Sequence, residues 1–308
     1  MERANMADGE AGHPAPRRED AAAATNGGGA GGTTTTGRGI AKTGTGWRPS
    51  KPLRRVMTEV GQPVMLAVET FRTLLRHRRG LLADVRDDMF DQFKKVAVPG
   101  FFAMFGYGML LVTFSVSILL ILGAANRLGT IYLAIVIREI TPFIAGTVVA
   151  GVVGTATTTE IGARKIREEI DALRVLGQDP IRILVLPRVI GLAIVSWVVN
   201  TLGIIVIVIQ GYVIVTILGG TSRAAYLTNF MQNLTVPELV GNFVKMILIG
   251  LLIGFICASK GMHTDSGSEG LGRAVNQAVV ISVLAVFILS VLFNMVLLGS
   301  VPQITVSR

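Results

Sequence analysis

Cysteine and histidine are nearly missing from this sequence. One cysteine, Cys257, and three histidines, His13, His77 and His263, are spread over 308 residues. A lone thiol forms no intrachain disulfide and no thiolate metal cluster. No HxxxH or HExxH spacing is present, so a zinc enzyme is not indicated and no metal ligand is assigned. Charge is scarce as well. Asp, Glu, Lys and Arg make up 16% of the chain, where soluble globular proteins hold about 25%, and that shortage excludes an ordinary soluble protein. No apolar run follows the first basic residues, so no secretory signal is read at the N-terminus. Gly37–Thr43 (GRGIAKT) looks like a phosphate loop at first sight. The glycine that must precede the lysine is Ala41, however, and no strand leads into it, so the chain is not expected to bind a nucleotide itself.

What the chain has instead is apolar length. Hydrophobic residues are 51% of the total and mean hydropathy is +0.59. Residues 1–95 hold 16 Lys/Arg and 11 Asp/Glu of the 29 and 20 in the chain. The remainder contains charge-free stretches of 31 (Val96–Asn126), 34 (Val189–Ser222) and 34 (Ala274–Ser307) residues. About 20 apolar residues at 1.5 Å each cross a hydrocarbon core, so the fold class is all-α integral membrane. Five transmembrane helices are expected, near Pro99–Leu122, Ile131–Val153, Val189–Leu218, Leu239–Ser259 and Ala274–Gly299. The third is long enough to require tilt or a helical extension beyond the lipid.

Three regions follow from composition. Residues 1–52 are Gly/Ala/Thr-rich and read as a disordered cytoplasmic tail. Residues 53–95 read as amphipathic interfacial helices. Val64, Val68, Phe71 and Leu75 recur at i, i+4, i+7 and i+11 beside Arg72, Arg76, Arg78 and Arg79, and Leu82, Val85, Met89 and Phe93 repeat the pattern. Residues 96–308 form the transmembrane domain. The pI near 10.2 reflects topology rather than nucleic-acid binding, because the basic residues are dispersed among membrane segments. They cluster before the first span (Arg76, Arg78, Arg79, Arg86, Lys94, Lys95), after the second (Arg164, Lys165, Arg167, Arg174, Arg182, Arg188) and after the fourth (Lys260, Arg273). The opposite loops carry only Arg127 and Arg223, and the C-terminus Arg308. The positive-inside rule puts the N-terminus in the cytoplasm and the C-terminus outside.

The loop after the second span, Thr159–Arg188, reads as a short amphipathic helix with Ile166, Ile170 and Leu173 on one face. Arg164–Glu168, Lys165–Glu169 and Arg167–Asp171 are opposite charges at i,i+4. Thr157-x-x-Glu160 fits a capping box, Gly177 a helix stop, and Pro180 blocks continuation. Within the spans, Arg138 and Glu139 interrupt the second, and Lys245 in the fourth is a candidate partner for Glu139. Each such charge costs roughly 2.5–3.5 kcal/mol at mid-bilayer, so a lipid path, a subunit contact or a structural ion pair is implied. Gly250, Gly254 and Ala258 form a helix-packing stripe, and Gln210 and Asn294 read as interhelical hydrogen-bonders.

The loop resembles the signature of MlaE/YrbE permeases. It carries Glu160-Ile-Gly162, Ile166-Arg-Glu168-Glu169-Ile-Asp171-Ala-Leu173, Val175-Leu-Gly177-x-Asp179-Pro180-Ile181 and Pro187-Arg188. Ile137-Arg-Glu139-Ile-Thr-Pro142 is similar to the family's LRELGP stretch, and Glu269-Gly-Leu-Gly-Arg273-Ala to the entry of its last span. Arg167-Glu168-Glu169 replaces a common Thr-Glu-Gln, Thr141 replaces a Gly, and no acidic residue follows Glu269; the first of these and the long tail look closest to actinobacterial YrbE proteins of Mce systems. The resemblance implies the permease subunit of an ABC transporter that moves lipids or other hydrophobic substrates with MCE-domain proteins. It makes the loop helix a coupling helix, with Glu160, Arg164, Glu168, Glu169, Asp171 and Arg174 meeting the ATPase and Gly177, Asp179 and Pro180 setting the turn back to the membrane. A separate ABC ATPase would use ATP and Mg, no cofactor being held by this chain, and a second permease subunit, homologous or identical, would complete the pair. The chain would then be no enzyme. An ion-coupled secondary carrier built on Arg138, Glu139 and Lys245 is the alternative; it would need no ATPase, and the inverted repeats often found in such carriers are not seen. A membrane-bound lipid-modifying enzyme would need a nucleophile/base or metal constellation, which the Cys and His content does not supply.

Overall fold

A computed structural model of the chain describes residues 51–76, 81–123, 135–218, 222–233 and 235–300. The Gly/Ala/Thr-rich stretch read as a tail, and the flank residues Arg78, Arg79, Arg127 and Arg308, lie outside the described residues apart from Lys51 and Pro52, which begin the first helix. Among the described residues every element is helical. Helix α1 is Lys51–Arg76 and α2 is Leu81–Ile121. The second membrane helix, α3, runs over Val136–Ile166, and α4 is the short Glu169–Val175. Helix α5 begins with Ile181–Val185 and continues as Leu186–Leu218. After it come α6 (Arg223–Asn233), α7 (Val236–Met262) and α8 (Gly267–Ser300). Five of these, α2, α3, α5, α7 and α8, are long and apolar enough to cross a membrane, so this is a multi-pass membrane protein.

The first span starts earlier than its apolar run. α2 has 41 residues with Pro99 inside it, about 60 Å of helix against a ~30 Å hydrocarbon core. A proline removes one N–H and disturbs one carbonyl, here that of Lys95, and a helix tolerates this when its neighbours hold it. The second amphipathic stretch is therefore not a separate helix: Leu82–Phe93 is the first part of α2, with Val85 and Gln92 buried and Leu82 and Phe90 bare. The third span is likewise one continuous helix from Ile181 to Leu218, about 57 Å long.

Packing explains the remaining order. Val96, Met104, Val112, Val116 and Leu119 make one stripe on α2, and Leu192, Val195, Val199, Ile207 and Ile214 face them from α5 in the main core cluster. The Gly250 stripe of α7 lets α5 approach very closely. A Cβ at Gly250 would lie 2.6 Å from Ala193 Cα and 2.7 Å from the Leu192 carbonyl oxygen, which are backbone atoms that cannot step aside. Gln210 Nε2 donates to the Phe105 carbonyl at 2.9 Å, joining α5 to α2. At the end of the bundle away from the α3–α5 loop, α6 turns inward, burying Tyr226 completely and stacking it on Phe230.

Candidate functional site

The loop between α3 and α5 is built in three parts. First, α3 continues to Ile166 without a cap. Thr157 and Thr158 lie inside it, and Thr158 Oγ1 donates to the Gly154 and Cys257 carbonyls at 3.0 and 3.2 Å. No capping box forms here, because the membrane helix supplies the preceding turns. On this extension Glu160 takes Lys95 of α2 at 2.8 Å and Arg188 of α5 at 2.8 Å. Arg188, whose side chain is 11% exposed, also faces Asp88 of α2 at 3.9 Å, and its carbonyl accepts Gln92 Nε2 at 3.2 Å. Glu160 thus clamps three helices together at the root of the loop, rather than standing on the outer helix with the other charged residues.

Second, the helix breaks. Glu168 adopts φ 61°, ψ 13°, the left-handed conformation, which costs an L-residue about 1–2 kcal/mol. The i,i+4 pairs expected of one continuous helix are consequently replaced, because the break shifts the register. Arg164 meets Glu169 at 3.9 Å, Lys165 meets Asp171 at 3.0 Å, Arg167 meets Glu169 at 2.7 Å, and Arg174 returns to Asp171 at 3.1 Å. The hydrogen bond from Lys165, reinforced by the Lys165 and Arg174 charges, holds the Asp171 carboxyl below the usual aspartate range. Ile170 of α4 is buried in a cluster with Ile161, Leu184, Val185, Val189, Ala258 and Leu66 of α1, and Leu173 packs on it. Ile166 is half-buried, so the apolar face read from sequence persists across the break.

Third, the chain turns back. Gly177 has φ 73°; its N–H donates to Arg174 at 3.0 Å and the Gln178 N–H donates to Leu173 at 3.0 Å, the two bonds of a Schellman stop that glycine makes without strain. Asp179 Oδ1 then accepts the Ile181 N–H at 3.0 Å. It acts as the N-cap of α5, with Pro180 at the first helical position. What the sequence reading missed is the tip. Val175 is 88% and Leu176 73% exposed, two bare apolar side chains beside the charged surface of α4. Their signal was an apolar pair lying off the Ile166–Ile170–Leu173 face.

The second polar cluster lies at the other end of the bundle. The opening turns of α3, Val136–Ile140, are π-helical, and two of their carbonyls accept side chains of α7. Asn242 Nδ2 of α7 donates to the Ile137 carbonyl at 2.7 Å, and Lys245 Nζ to the Arg138 carbonyl at 2.7 Å. Asn200 of α5 donates to Asn242 at 2.6 Å. Arg138 forms its ion pair with Glu238 of α7, whose side chain is 1% exposed. Lys245 does not pair directly with Glu139. It donates to Asn294 of α8 at 3.2 Å, and Asn294 donates in turn to Glu139. The amide intervenes because Arg138 and Glu139, adjacent on their helix, face different neighbours. Glu238, Asn242 and Asn200 were not singled out from the sequence, yet Glu238, Asn242 and Lys245 recur at i, i+4 and i+7, a polar face within an otherwise apolar helix.

The family described as Permease MlaE matches residues 88–296. A probable ABC transporter permease protein of Rickettsia typhi is 34% identical over 165 residues, 54% of this chain and 64% of that protein. One of Synechocystis is 35% identical over 167 residues, covering 54% and 63%. The protein TRIGALACTOSYLDIACYLGLYCEROL 1 of Arabidopsis thaliana is 30% identical over 167 residues, covering 54% and 48%. The chain therefore spans less than two thirds of the length of these relatives.

Proposed function

The chain belongs to the MlaE permease family, and on that premise we propose that it is the membrane subunit of an ABC transporter for lipids or similar hydrophobic substrates, driven by a separate ATPase. Helix α4 carries this reading. The Glu160 clamp, the Ile170 cluster and the Asp179 cap hold it at both ends, so a movement imposed on it reaches α2, α3, α5 and α7 rather than dissipating in a loose loop. Its outer surface offers Arg174, Val175, Leu176 and the carboxylates of Glu168, Glu169 and Asp171 to a partner. Apolar anchors ringed by charge are what a docked helix needs. Arg164 stands beside that surface through Glu169, while Glu160 acts behind it.

The Lys/Arg flanks support a loop and an N-terminus in the cytoplasm and a C-terminus outside, and the family and its bacterial relatives support a bacterial inner-membrane location. ATP and Mg then act in the partner ATPase and the chain itself has no catalytic role. A second permease subunit completes the pair, and the loop signature favours MCE-domain proteins as further partners. A lipid cargo is supported by the Arabidopsis relative, whose name is that of a galactolipid. At the outer end, Arg138 and Glu238 serve structure, whereas the exposed Glu139 is available to a lipid headgroup or a second subunit.

Reversing charge at Glu168, Glu169 and Asp171 together tests the docking assignment. Tagged chain purified in detergent should lose its ATPase while still inserting in the membrane; an unchanged complex with unchanged transport refutes it. The buried charges favour one second reading, an ion-coupled carrier. Transport in vesicles without the ATPase, driven by a proton gradient, would establish that reading in place of the first.

A further inference from the structure

Helix α1 makes two contacts with the α3–α5 loop and a third with the end of α7, and leaves its opposite side bare. Leu66 is a member of the same buried cluster as Ile170 of α4. Thr73 Oγ1 donates at 3.3 Å to Asp179 Oδ2, on the carboxylate whose other oxygen caps α5. Glu59 pairs with Lys260 at the end of α7, and Lys260 also donates to Gln277 of α8 at 3.1 Å. α1 is thus strapped across the root of the loop and the adjoining span ends. On its other side Val64, Met65, Val68, Phe71 and Leu75 are 48–68% exposed. α1 is not among the helices apolar enough to cross a membrane. Its sequence holds Lys51, Arg54, Arg55, Arg72 and Arg76 against Glu59 and Glu69, a net charge of 5 − 2 = +3. A bare apolar stripe on a cationic helix fits the headgroup layer of an anionic bilayer.

We propose that α1 is a lipid-responsive strap: anionic bilayer surface draws it down by its stripe, and Leu66 and Thr73 pass that state to α4 and Asp179. With α1 seated, the cluster that buries Ile170 keeps Leu66 and Asp179 keeps its second hydrogen bond, so the loop is rigid. With α1 lifted, both are lost and the loop loosens. By linkage, whatever stabilises the loop also favours membrane seating of α1. The consequence for transport rests on the reading of the loop as the ATPase contact; the lipid response itself does not.

Hydrogen exchange of the full chain tests this, in vesicles of phosphatidylcholine alone and of phosphatidylcholine mixed equally with phosphatidylglycerol. Each Lys or Arg held at an anionic surface contributes about fivefold to binding, so residues 170–179 should exchange at least about fivefold more slowly in the mixed vesicles. High salt should remove the difference. Val68→Asp with Phe71→Asp, two exposed positions, should abolish it in α1 and in the loop together. Thr73→Val should leave α1 responsive while shrinking the response of the loop. Equal loop exchange in both vesicles overturns the proposal, as does a response confined to α1 in the parent chain. ATPase capture by the same preparations is scored separately: lipid-dependent exchange without capture leaves the strap standing and removes the docking assignment, while capture without lipid dependence does the reverse.

Discussion

Replacing Glu238 by glutamine keeps the shape of a side chain that is 1% exposed and deletes its charge. Arg138, whose side chain is 22% exposed, then loses the carboxylate that offsets its desolvation. Breaking a buried pair from one side costs about 3–5 kcal/mol, and for a helical core of this size that lowers Tm by about 10 °C. The loss should be local at first. The Arg138 carbonyl still receives Lys245, so the π turn persists while the guanidinium seeks another acceptor. Thermal unfolding of the purified chain in detergent, followed by fluorescence-detected size exclusion, reads the shift. The double variant Arg138→Leu, Glu238→Leu should recover much of it, because removing both charges removes the desolvation cost along with the attraction. A Glu238→Gln protein that melts within about 2 °C of the parent, or a double variant no more stable than the single one, would refute the pair as a buried structural element.

Two further outcomes follow from the loop and the packing. The Asp171 carboxyl titrates below the ordinary aspartate range in the folded chain. Its stabilisation of α4 is therefore complete above the unfolded value of about 4 and fades as pH falls through the lower folded value. Exchange protection of α4 should stay flat from neutral pH down to about pH 5 and drop only below about pH 4, while Asp171→Asn should flatten that drop and lower protection at pH 7. Gly250→Val would drive Cγ atoms into the α5 backbone near Ala193. Overpacking of this kind costs at least about 1–3 kcal/mol, so the variant should run as an aggregate on size exclusion, and a monodisperse product with parental Tm would show that α5 and α7 are not in close contact.

The spans were legible because a run of about 20 apolar residues has few soluble alternatives. Their ends were not. Arg86, Asp87, Asp88 and Lys94 look like a boundary in sequence, yet α2 runs straight through them, since helical hydrogen bonding is indifferent to where water ends. The glycine stop at 177 was legible because only glycine makes that turn cheaply. The break at Glu168 was not, because Arg164–Glu168 and Arg167–Asp171 satisfy the spacing of an unbroken helix equally well. Among the buried polar groups, sequence drew attention to Arg138, Glu139 and Lys245 but not to how they connect. Glu238 falls one residue outside the Leu239–Ser259 span read from sequence, and the role of Asn294 as the link between Lys245 and Glu139 depends on which faces α3, α7 and α8 turn to one another.

The π turns of α3 also govern how this chain can vary in length. A π turn is an α-helix accommodating one residue too many. Removing one residue from Ala150–Gly154 would return that turn to α geometry and leave the faces on either side in phase. The same deletion elsewhere in α3 would rotate everything after it by about 100°. Upstream of Thr158 it would carry the Thr158 hydroxyl away from the Cys257 carbonyl, and Glu160 away from Lys95 and Arg188. Among related chains, one-residue gaps in this span should therefore gather at the two π turns, where the helix already holds a spare residue.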